Sequence, residues 1–228
     1  MKKIAIIPAY NEQDSIVKTV TDLQKKAPDF DYIIINDCSK DNTMDICREH
    51  GLKVLNLPIN LGIGGAVQTG YLYAYKYKYD IAVQFDGDGQ HDAVYLEAMS
   101  KVLEKEQNDM VIGSRFITKE GFQSSGLRRV GIRYFAFLTK LLFGQKITDA
   151  TSGMRMCNRK VMKLFIKDYP RDYPEPESVA RLLRHKCRIK EIPVVMHERE
   201  AGVSSISLKK SGYYMIKVSL AILIERLR

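Results

Sequence analysis

The sequence has few residues of the kinds that bind zinc. Its 228 residues include four cysteines and four histidines. No two cysteines form a C-x-x-C pair and no histidines form an H-E-x-x-H pattern, and these are the spacings typical of zinc sites. We therefore expect no zinc site, and a reduced, cytosolic compartment is the simplest interpretation of these cysteines.

Long apolar runs are also scarce. The first run, residues 4–7, is short and stops at Pro8, so we expect no signal peptide. The last, residues 213–228, would span about 24 Å as a helix, less than the roughly 30 Å of a bilayer core. Lys217 interrupts this run and charged residues end it. We expect it to lie on a membrane surface or to mediate self-association.

The glycine-rich segment 60–66 lacks the residues of a phosphate-binding loop. No Gly-Lys-Ser or Gly-Lys-Thr follows it, and Val67 stands where a G-x-G-x-x-G motif needs its last glycine. Neither kind of nucleotide loop is therefore present here. The alternating tyrosines downstream fit a strand, but Ala66, Gly70 and Ala74 are spaced four residues apart and favour a helix with one face of small residues.

The composition favours a folded protein with an anionic partner. Hydrophobic residues make up 45% and charged residues 28% of the chain, as in globular proteins. The 36 Lys and Arg outnumber the 27 Asp and Glu, which gives a net charge of +9. Such a charge attracts nucleic acid, a membrane surface or phosphorylated substrates, although a solvated basic surface gives the same balance. No nucleic-acid motif is present, so we expect no nucleic-acid partner.

The order of the apolar segments predicts an α/β fold. Short segments typical of strands lie at 4–7, 32–35, 54–55 and 81–85. Helix-like segments separate them, which indicates βαβ units and a parallel sheet. Polar, acidic loops follow three of these strands, at 11–12, 37–41 and 86–88. Because the carboxyl ends of parallel strands share one edge, where ligands bind, we expect these loops to meet there.

Among the residues of these loops, Asp86 and Asp88 point most directly to a bound cation. They directly follow the apolar run 81–85 and stand one residue apart. Two close carboxylates repel each other unless a cation or a proton lies between them. A hard divalent cation that also contacts substrate phosphates suits such a pair, and Gly87 and Gly89 leave room for a phosphate. An ordinary Asp/Gly turn after a strand is the alternative.

Six motifs together resemble one family. They are residues 8–12 (PAYNE), 35–41 (INDCSKD), 86–91 (DGDGQH), 113–116 (GSRF), 149–155 (DATSGMR) and 199–205 (REAGVSS). In this order they resemble the family 2 glycosyltransferases of the GT-A fold, and among them the polyprenyl-phosphate sugar synthases of the dolichol-phosphate mannose synthase type. The resemblance covers about residues 2–207. It implies a single mixed, mostly parallel sheet flanked by helices, with a Rossmann-like nucleotide-binding half and a C-terminal amphipathic helix.

The resemblance implies roles on the donor side. The residues expected to bind the donor nucleotide are Pro8, Tyr10, Asn11, Glu12, Asp37, Gly64, Asp86, Arg199 and Ser204. Asp86, Asp88 and Gln90 would hold Mg²⁺ or Mn²⁺, and Asp37 would accept a hydrogen bond from the base. Where the family usually has Asp-Asp-Gly-Ser, this chain has residues 36–39 as Asn-Asp-Cys-Ser. The base therefore stays open between uridine, which we favour, and guanosine.

The resemblance also implies roles on the acceptor side. Asp149 would be an acceptor-side carboxylate and, with Asp88, a catalytic residue. A hydroxyl acceptor needs a general base, whereas a phosphate is already ionised and Asp149 would then orient it; a helix cap is the alternative role. Glu175 and Glu177, in a segment that we expect to be a proline-stiffened loop, are second candidates. The residues expected to bind an acceptor phosphate are Arg115, Arg129 and Arg133.

The expected function is therefore metal-dependent, inverting transfer of a sugar from a nucleoside-diphosphate sugar to a polyprenyl phosphate. A polysaccharide or glycolipid hydroxyl is the alternative acceptor, and a non-enzymatic basic binding module is the third interpretation. We expect a catalytic domain over 1–207 and an apolar, basic helix over 208–228. The expected location is cytoplasmic, peripheral to the inner face of the cell membrane, as a homo-oligomer or with a small membrane partner protein. The apolar segment 134–143 would be an interfacial helix beside a lipid channel or a buried core helix.

Overall fold

The computed structural model describes residues 1–118, 120, 126–197 and 208–228, with side chains from 129 and from 212 onward in the last two ranges. The strands are β1 (Lys3–Ala9), β2 (Phe30–Asn36), β3 (Val54–Asn56), β4 (Ile81–Gln84), β5 (Met110–Ser114), β6 (Arg155–Asn158) and β7 (Ile189–Pro193). The helices are α1 (Ile16–Lys26), α2 (Thr43–Glu49), α3 (Gly62–Lys76), α4 (Leu96–Lys105), α5 (Gly126–Phe143), α6 (Arg159–Phe165), α7 (Pro174–Arg184) and α8 (Leu208–Leu227), with a 3₁₀ turn at Ala93–Tyr95.

Within the described residues the strands form one seven-stranded sheet, in the order β3-β2-β1-β4-β6-β5-β7. Strands β1 to β4 are parallel, as are β5 and β7, whereas β6 is antiparallel to both of its neighbours. The predicted single mixed, mostly parallel sheet is therefore confirmed. Because β6 is reversed, its first residue, Arg155, pairs with the last residue of β4, Gln84. The segment that precedes β6 thus reaches the same edge as the loops that follow β1, β2 and β4.

Both faces of the central strands are buried. Ile4 and Ile6 of β1 pack with the core beneath α3 and α6, while Ala5 and Ile7 pack with the core beneath α1 and α4. Side chains of a strand alternate between faces, so a strand covered on both sides is apolar at every position. This explains why most of β1, β2 and β4 is visible as short apolar runs in the sequence.

Helix α3 confirms the helical interpretation of the tyrosine-rich segment. Ala66 and Ala74 are buried, and Gly70 lies directly on β1. A Cβ at Gly70 would come within 2.1 Å of Ile6 Cγ2. The small residues therefore allow the helix backbone to approach the sheet closely.

Strand β1 extends further than the sequence predicts. We expected it to end at Ile7, but Pro8 and Ala9 continue its pairing with β2. The N–H that Pro8 lacks would point towards β4, and β4 has already ended at Gln84, the partner of Ile6. Proline is tolerated at such a position because no ladder hydrogen bond is lost.

Helices α5, α7 and α8 form a separate packed group. Phe135 and Leu138 of α5 are buried with Ala180 of α7 and with Val218 and Ile222 of α8. One face of α5 is thus a core face, while the other stays exposed. Among the residues that the structure describes, no helix is both long enough and apolar enough to cross a membrane.

The expected loop around residues 174–177 is wrong, because α7 begins at Pro174. Proline fits the first turn of a helix, where its missing N–H would have no intrahelical partner. The same turn carries Glu175 and Glu177. Both carboxylates therefore have fixed positions rather than lying in a surface loop.

Candidate active site

The loops after β1 and β2 are joined by hydrogen bonds at the carboxyl edge of the sheet. The Asn11 N–H donates to Ser39 Oγ at 3.0 Å, and the Lys40 N–H donates to Asn11 Oδ1 at 2.8 Å. The Glu12 N–H donates to Thr43 Oγ1 at 2.8 Å. Asn11 and Glu12 therefore lie beside the loop that contains Asp37, as predicted. Of the other predicted donor residues, Pro8 is buried in β1 and Tyr10 is exposed.

Asp37 is a buried carboxylate at this edge. The Leu61 N–H donates to its Oδ1 at 2.7 Å, and Asn60 Nδ2 donates to its carbonyl oxygen at 2.9 Å. Burial raises the pKa of Asp37, although backbone hydrogen bonds from Leu61 and Gly62 oppose this effect. The side chain is therefore held by the segment that leads into α3.

Cys38 and Gly64 are positions with special backbone requirements. Cys38 has a φ of +57°, in the left-handed region that favours glycine, and it stands where the family pattern has glycine. At Gly64, a Cβ would come within 2.2 Å of the Pro170 carbonyl oxygen. Backbone packing thus accounts for the glycine at 64, and its expected contact with a donor stays a prediction.

The DGDGQH loop follows β4. Gln84 Nε2 donates to Asp86 Oδ1 at 3.0 Å, and the Gln90 N–H donates to Asp88 Oδ1 at 3.0 Å. Gln90 Nε2 donates to the carbonyl oxygen of His197 at 3.4 Å, which leaves the Gln90 Oε1 atom for another ligand. Asp88 is buried, whereas the Asp86 side chain is about a third exposed, at 30%.

These residues fit a hard cation. Within the described ranges, no group of three or more His, Cys, Asp and Glu side chains is placed to hold a metal ion by itself. Two carboxylates and one amide oxygen are, however, the donor types that Mg²⁺ and Mn²⁺ accept when substrate phosphates complete the shell. The set Asp86, Asp88 and Gln90 is therefore suited to a metal that binds together with a diphosphate.

Asp149 is paired with Arg115. Arg115 Nε lies 2.7 Å from Asp149 Oδ2, and Arg115 Nη2 lies 2.8 Å from Asp149 Oδ1. The Arg115 N–H and the Thr151 hydroxyl also donate to this carboxylate, which is fully buried. Burial opposes the charge of Arg115, but hydrogen bonds and the charge of Asp149 outweigh it and raise the pKa of Arg115. Asp149 is therefore one half of a bidentate ion pair.

Arg155 and Glu175 join the turn before β6 to α7. The Arg155 guanidinium is fully buried and donates to the carbonyl oxygens of Ala150, Ser152 and Glu175. Burial raises the pKa of the Glu175 carboxyl, which the nearby Arg155 opposes and the nearby Asp86 reinforces. Glu175 is thus close enough to interact electrostatically with Asp86, one of the predicted metal ligands.

A cavity of about 700 Å³ lies between α5, the segment after β5 and the segment that follows α5. Phe116, Ile132 and Ala136 line it and make it partly apolar. The cationic residues that line it are Arg129, Arg133, Lys140 and Lys146. In the part of the chain that the structure describes, these four side chains have no ion-pair or hydrogen-bond partner. Arg129 and Arg133 therefore lie together, as predicted. Arg115 is paired with Asp149, and its expected contact with an acceptor phosphate stays a prediction. Arg199 and Ser204 lie outside the described residues.

The sequence matches the family model described as Glycosyl transferase family 2 over residues 4–165. The chain belongs to glycosyl transferase family 2. It is 33% identical to a UDP-N-acetylglucosamine–dolichyl-phosphate N-acetylglucosaminyltransferase of Methanococcus voltae, over 83% of each chain. It is 29% identical to an undecaprenyl-phosphate mannosyltransferase of Micrococcus luteus, over 96% of this chain and 93% of the relative. The predicted family and enzyme class are confirmed, and the chain is a glycosyltransferase.

The fold of this glycosyltransferase is also found in solved structures. Glucosyl-3-phosphoglycerate synthase from Mycobacterium tuberculosis, in complex with UDP, superposes with a TM-score of 0.74 at 16% identity. The superposition covers 99% of this chain and 80% of the synthase. The predicted GT-A fold is therefore confirmed, and at this identity the likeness concerns the fold alone.

Several residues that contact the predicted site residues or line the cavity were given no individual role from the sequence. They are Gln84, His91, Lys140, Lys146 and Arg155. Gln84 is a polar residue in an apolar strand and Arg155 is a cation between apolar neighbours, which are signals of buried polar function. The lysines give no such signal, because exposed lysines are common on any helix surface.

Proposed function

We propose that this glycosyltransferase transfers a sugar from a nucleoside-diphosphate sugar to a polyprenyl phosphate, with a divalent metal and with inversion at the anomeric carbon. The observation that carries the acceptor assignment is the cavity beside α5, which combines apolar lining with four cations that have no partner among the described residues. An anionic head on an apolar chain complements such a cavity in both respects. The two relatives named above act on dolichyl phosphate and undecaprenyl phosphate by their names.

The Arg115–Asp149 pair supports a phosphate acceptor over a hydroxyl acceptor. A hydroxyl must lose a proton to a general base in the transition state. Both oxygens of Asp149 accept from Arg115, so this carboxylate is poorly placed to take that proton. A phosphate is already an anion at neutral pH and needs no base. In this proposal Asp149 orients Arg115 and the turn before β6.

The donor would lie across the loops that follow β1, β2 and β4. Asp37 would receive the base, Asn11 and Glu12 would line the nucleotide, and Asp86 would face the diphosphate. We favour a UDP-sugar over a GDP-sugar, because the Methanococcus voltae relative is named for a UDP donor and the superposed synthase is in complex with UDP. Arg199 and Ser204 stay predicted donor contacts.

The metal would be held by Asp86, Asp88 and Gln90. When bound, Mg²⁺ or Mn²⁺ supplies positive charge that stabilises the leaving nucleoside diphosphate. Structures of the superposed synthase contain Mn²⁺ together with UDP-glucose. The role of this chain's own residues is to present the oxygens in a fixed arrangement and to keep Asp88 out of water.

An exposed apolar strip supports action at a membrane surface. Its members on α5 and α8 are Val130, Tyr134, Phe137, Leu141, Tyr213, Ile216, Leu220, Ile224 and Leu227. Ser219 Oγ donates to the Tyr134 hydroxyl at 3.1 Å, so the two helices present adjoining faces. The α5 part borders the cavity at Phe137. We propose that this apolar strip rests on the cytoplasmic leaflet, where polyprenyl phosphate can enter the cavity; self-association or a small membrane partner protein is its alternative use.

One assay tests the proposal as a whole. Purified protein is mixed with a panel of UDP- and GDP-sugars, Mg²⁺ or Mn²⁺, and a short polyprenyl phosphate. Release of nucleoside diphosphate and a gain of one sugar mass on the lipid are expected with one donor. Nucleoside diphosphate release that appears only with a hydroxyl acceptor would contradict the phosphate assignment. No release with any donor would contradict the proposal entirely.

A pair of variants tests the cavity itself. Arg133→Gln/Lys140→Gln removes two of its cations and should raise KM for the polyprenyl phosphate by about 10- to 100-fold, with little change in KM for the donor. The matched control is Lys101→Gln/Lys105→Gln on α4, which removes the same charge from exposed positions outside the cavity. Equal effects of the two pairs would mean that general charge, and not the cavity, attracts the acceptor.

A hydroxyl acceptor remains the second candidate, and one observation favours it. The pKa of Glu175 is raised by burial, which suits a general base. Glu175→Gln should then abolish transfer to a hydroxyl acceptor. Under the phosphate proposal the same variant keeps most of its activity, so this one substitution separates the two candidates.

A further inference from the structure

We infer that Gln84 and His91 are positioning residues that hold the Asp86 carboxylate in one orientation for the cation. The inference rests on the proposed metal-dependent function. Neither residue was expected to have a role from the sequence. Three contacts converge on Asp86: one from β4 below it, one from the ring of His91, and one from the backbone at Gly153.

Gln84 supports Asp86 from within the sheet. It is the last residue of β4, it is 1% exposed, and its Nε2 donates to Asp86 Oδ1 at 3.0 Å. Its own Oε1 is buried and has no hydrogen-bond partner among the described residues. A buried acceptor without a partner lowers stability. A strand selected for stability alone would carry an apolar side chain here, so the amide is better explained by its bond to Asp86.

His91 fixes both the backbone and the side chain of Asp86. The Asp86 N–H donates to His91 Nδ1 at 3.0 Å, and His91 Nε2 lies 3.6 Å from Asp86 Oδ2. Because Nδ1 accepts a hydrogen bond, the neutral ring must carry its proton on Nε2, the atom that faces the carboxylate. The ring is buried and packs edge-on against Phe85, with centroids 5.5 Å apart, so it has little freedom to turn away.

Gly153 lies on a third side of the Asp86 carboxylate. A Cβ at this position would lie 2.5 Å from Asp86 Oδ2. The backbone of the turn before β6 thus lies too close to the carboxylate to leave room for a side chain at this position. With Gln84 at Oδ1, His91 near Oδ2 and this turn beside both, only a narrow range of carboxylate orientations remains.

In metal sites, residues that do not touch the metal often hydrogen-bond its ligands and orient them. Gln84 and His91 contact Asp86 in the same way. Groups that hydrogen-bond a ligating carboxylate fix its direction, and their loss typically weakens metal binding by 10- to 100-fold. Neither Gln84 nor His91 needs to touch the cation to have this effect. Both are therefore expected to change metal affinity while leaving the fold intact.

Gln84→Met separates positioning from stability. Methionine has nearly the same length, fills the same buried site and removes the unpartnered Oε1. We expect Mn²⁺ affinity, measured by calorimetry in the presence of UDP, to fall about 10- to 100-fold, with an unchanged or higher Tm. The matched control is Gln68→Met, whose amide donates to the Phe165 carbonyl oxygen on α6. It should leave Mn²⁺ affinity unchanged.

The outcomes distinguish this inference from the proposed function. Mn²⁺ binding by the unchanged protein, with equal affinity in Gln84→Met, would overturn the positioning role of Gln84 alone. Absence of Mn²⁺ binding by the unchanged protein would overturn the metal-dependent function and this inference together.

His91 has a test of its own. His91→Asn keeps an acceptor near the Nδ1 position for the Asp86 N–H, whereas His91→Leu removes it. The Asn variant keeps the bond to the Asp86 N–H but loses the Nε2 contact, so its Mn²⁺ affinity should lie between those of the unchanged protein and the Leu variant. The Leu variant should bind Mn²⁺ about 10- to 100-fold more weakly than the unchanged protein. Nitrogen-15 NMR of the histidine rings should show Nε2–H for neutral His91, without any metal. An Nδ1–H form, or equal Mn²⁺ affinity in His91→Leu, would overturn the role of His91.

Discussion

Single residues in this site are constrained by charge as much as by shape. The Arg115 and Asp149 side chains are paired in a bidentate fashion, with 13% and 0% exposure. Taking either charge away leaves the other without its main partner in a place that water hardly reaches. Replacing one member of a buried ion pair therefore lowers stability far more than replacing both members with apolar residues.

Asp149→Asn is predicted to lower the free energy of unfolding by about 3 kcal/mol, because the Arg115 charge loses its partner. The effect should lie at the low end for such pairs, since Glu175 and Asp86 remain nearby. Urea unfolding at pH 7 measures it. The control is the double variant Arg115→Met/Asp149→Met, which should recover most of the loss. Full stability of Asp149→Asn together with lost transfer would instead identify Asp149 as a chemical participant.

Asp37 gives a prediction about pH. Its pKa is raised in the folded protein, mainly by burial, so the folded state binds this proton more tightly than the unfolded state does. Stability then falls as pH rises from the ordinary aspartate pKa to the raised one, and the penalty persists at neutral pH. Asp37→Asn should therefore stabilise the protein at pH 7 and lose this advantage in acid, below about pH 4. Urea midpoints at pH 7 and pH 3.5 would test this, and an advantage that grew in acid would contradict it. Calorimetry should show weaker UDP binding by the same variant.

Some residue roles could be predicted from the sequence and others could not. Asp86 and Asp88 are recognisable because their motif is local and directly follows an apolar strand. The pairing of Arg115 with Asp149 joins residues 34 positions apart, and no local pattern shows which arginine will find which carboxylate. The family resemblance therefore indicated Arg115 as a phosphate ligand but gave no sign of its ion pair with Asp149.

At the level of elements, α8 is held to the rest of the chain by more than apolar packing. Glu225 is buried against α7, with Arg181 Nη2 at 2.8 Å and Arg184 Nε at 3.0 Å. The contact between Arg184 Nε and Glu225 Oε2 is an ion pair and not a hydrogen bond, since neither atom has a hydrogen-bond partner among the described residues. Lys217 adds an ion pair to Asp172 at the surface. Residues of α8 thus share a core with α5 and α7, and the division of the chain at residue 207 stays a prediction.

Glu225→Ala is predicted to loosen α8. It leaves Arg181 with weaker partners and should cost about 3 kcal/mol. Hydrogen exchange should show faster exchange throughout α8, with β1 and β2 affected less. Asp45→Ala, at an exposed ion pair on α2, is the control and should change neither quantity measurably. Uniform destabilisation of the whole chain would show that α8 does not open separately.

The elements that could be predicted are those whose pattern is local. Helix α3 and strands β1, β2 and β4 have clear periodicity or unbroken apolar runs. Strand β6 is four residues long and includes Arg155 and Asn158, so nothing in its sequence indicates a central strand or its reversed direction. Helix α7 was not predicted because Pro174 and Pro176 are typical of loops. Proline is also common in the first turn of a helix, but this pattern is recognisable only when the start of the helix is known.

For the whole molecule, charge and the apolar strip act together. The net charge of +9 favours approach to an anionic surface, and each Lys or Arg near such a surface adds about 1 kcal/mol at low salt. The apolar strip would add burial once contact is made. Binding to vesicles should therefore depend on both lipid charge and strip residues.

Phe137→Ser/Leu220→Ser is predicted to weaken binding to anionic vesicles by about tenfold or more, because two exposed apolar side chains are lost. Vesicle sedimentation measures this. The control is Ile59→Ser/Leu72→Ser, which removes similarly exposed apolar residues away from α5 and α8. Unchanged vesicle binding with an altered mass in light scattering would assign the strip to self-association.

The reversed strand β6 also has a consequence for synthesis of the chain. The parallel strands β3, β2, β1 and β4 are complete once residue 84 has been made. Among the described strands, the one that pairs with the other side of β4 is β6, which ends at Asn158. At the usual speed of translation this interval is roughly 4–15 s. During that time a nascent chain exposes an unpaired strand of four apolar or buried residues, the kind of edge that recruits other chains. Newly made protein should therefore depend on chaperones until the second half of the sheet has arrived.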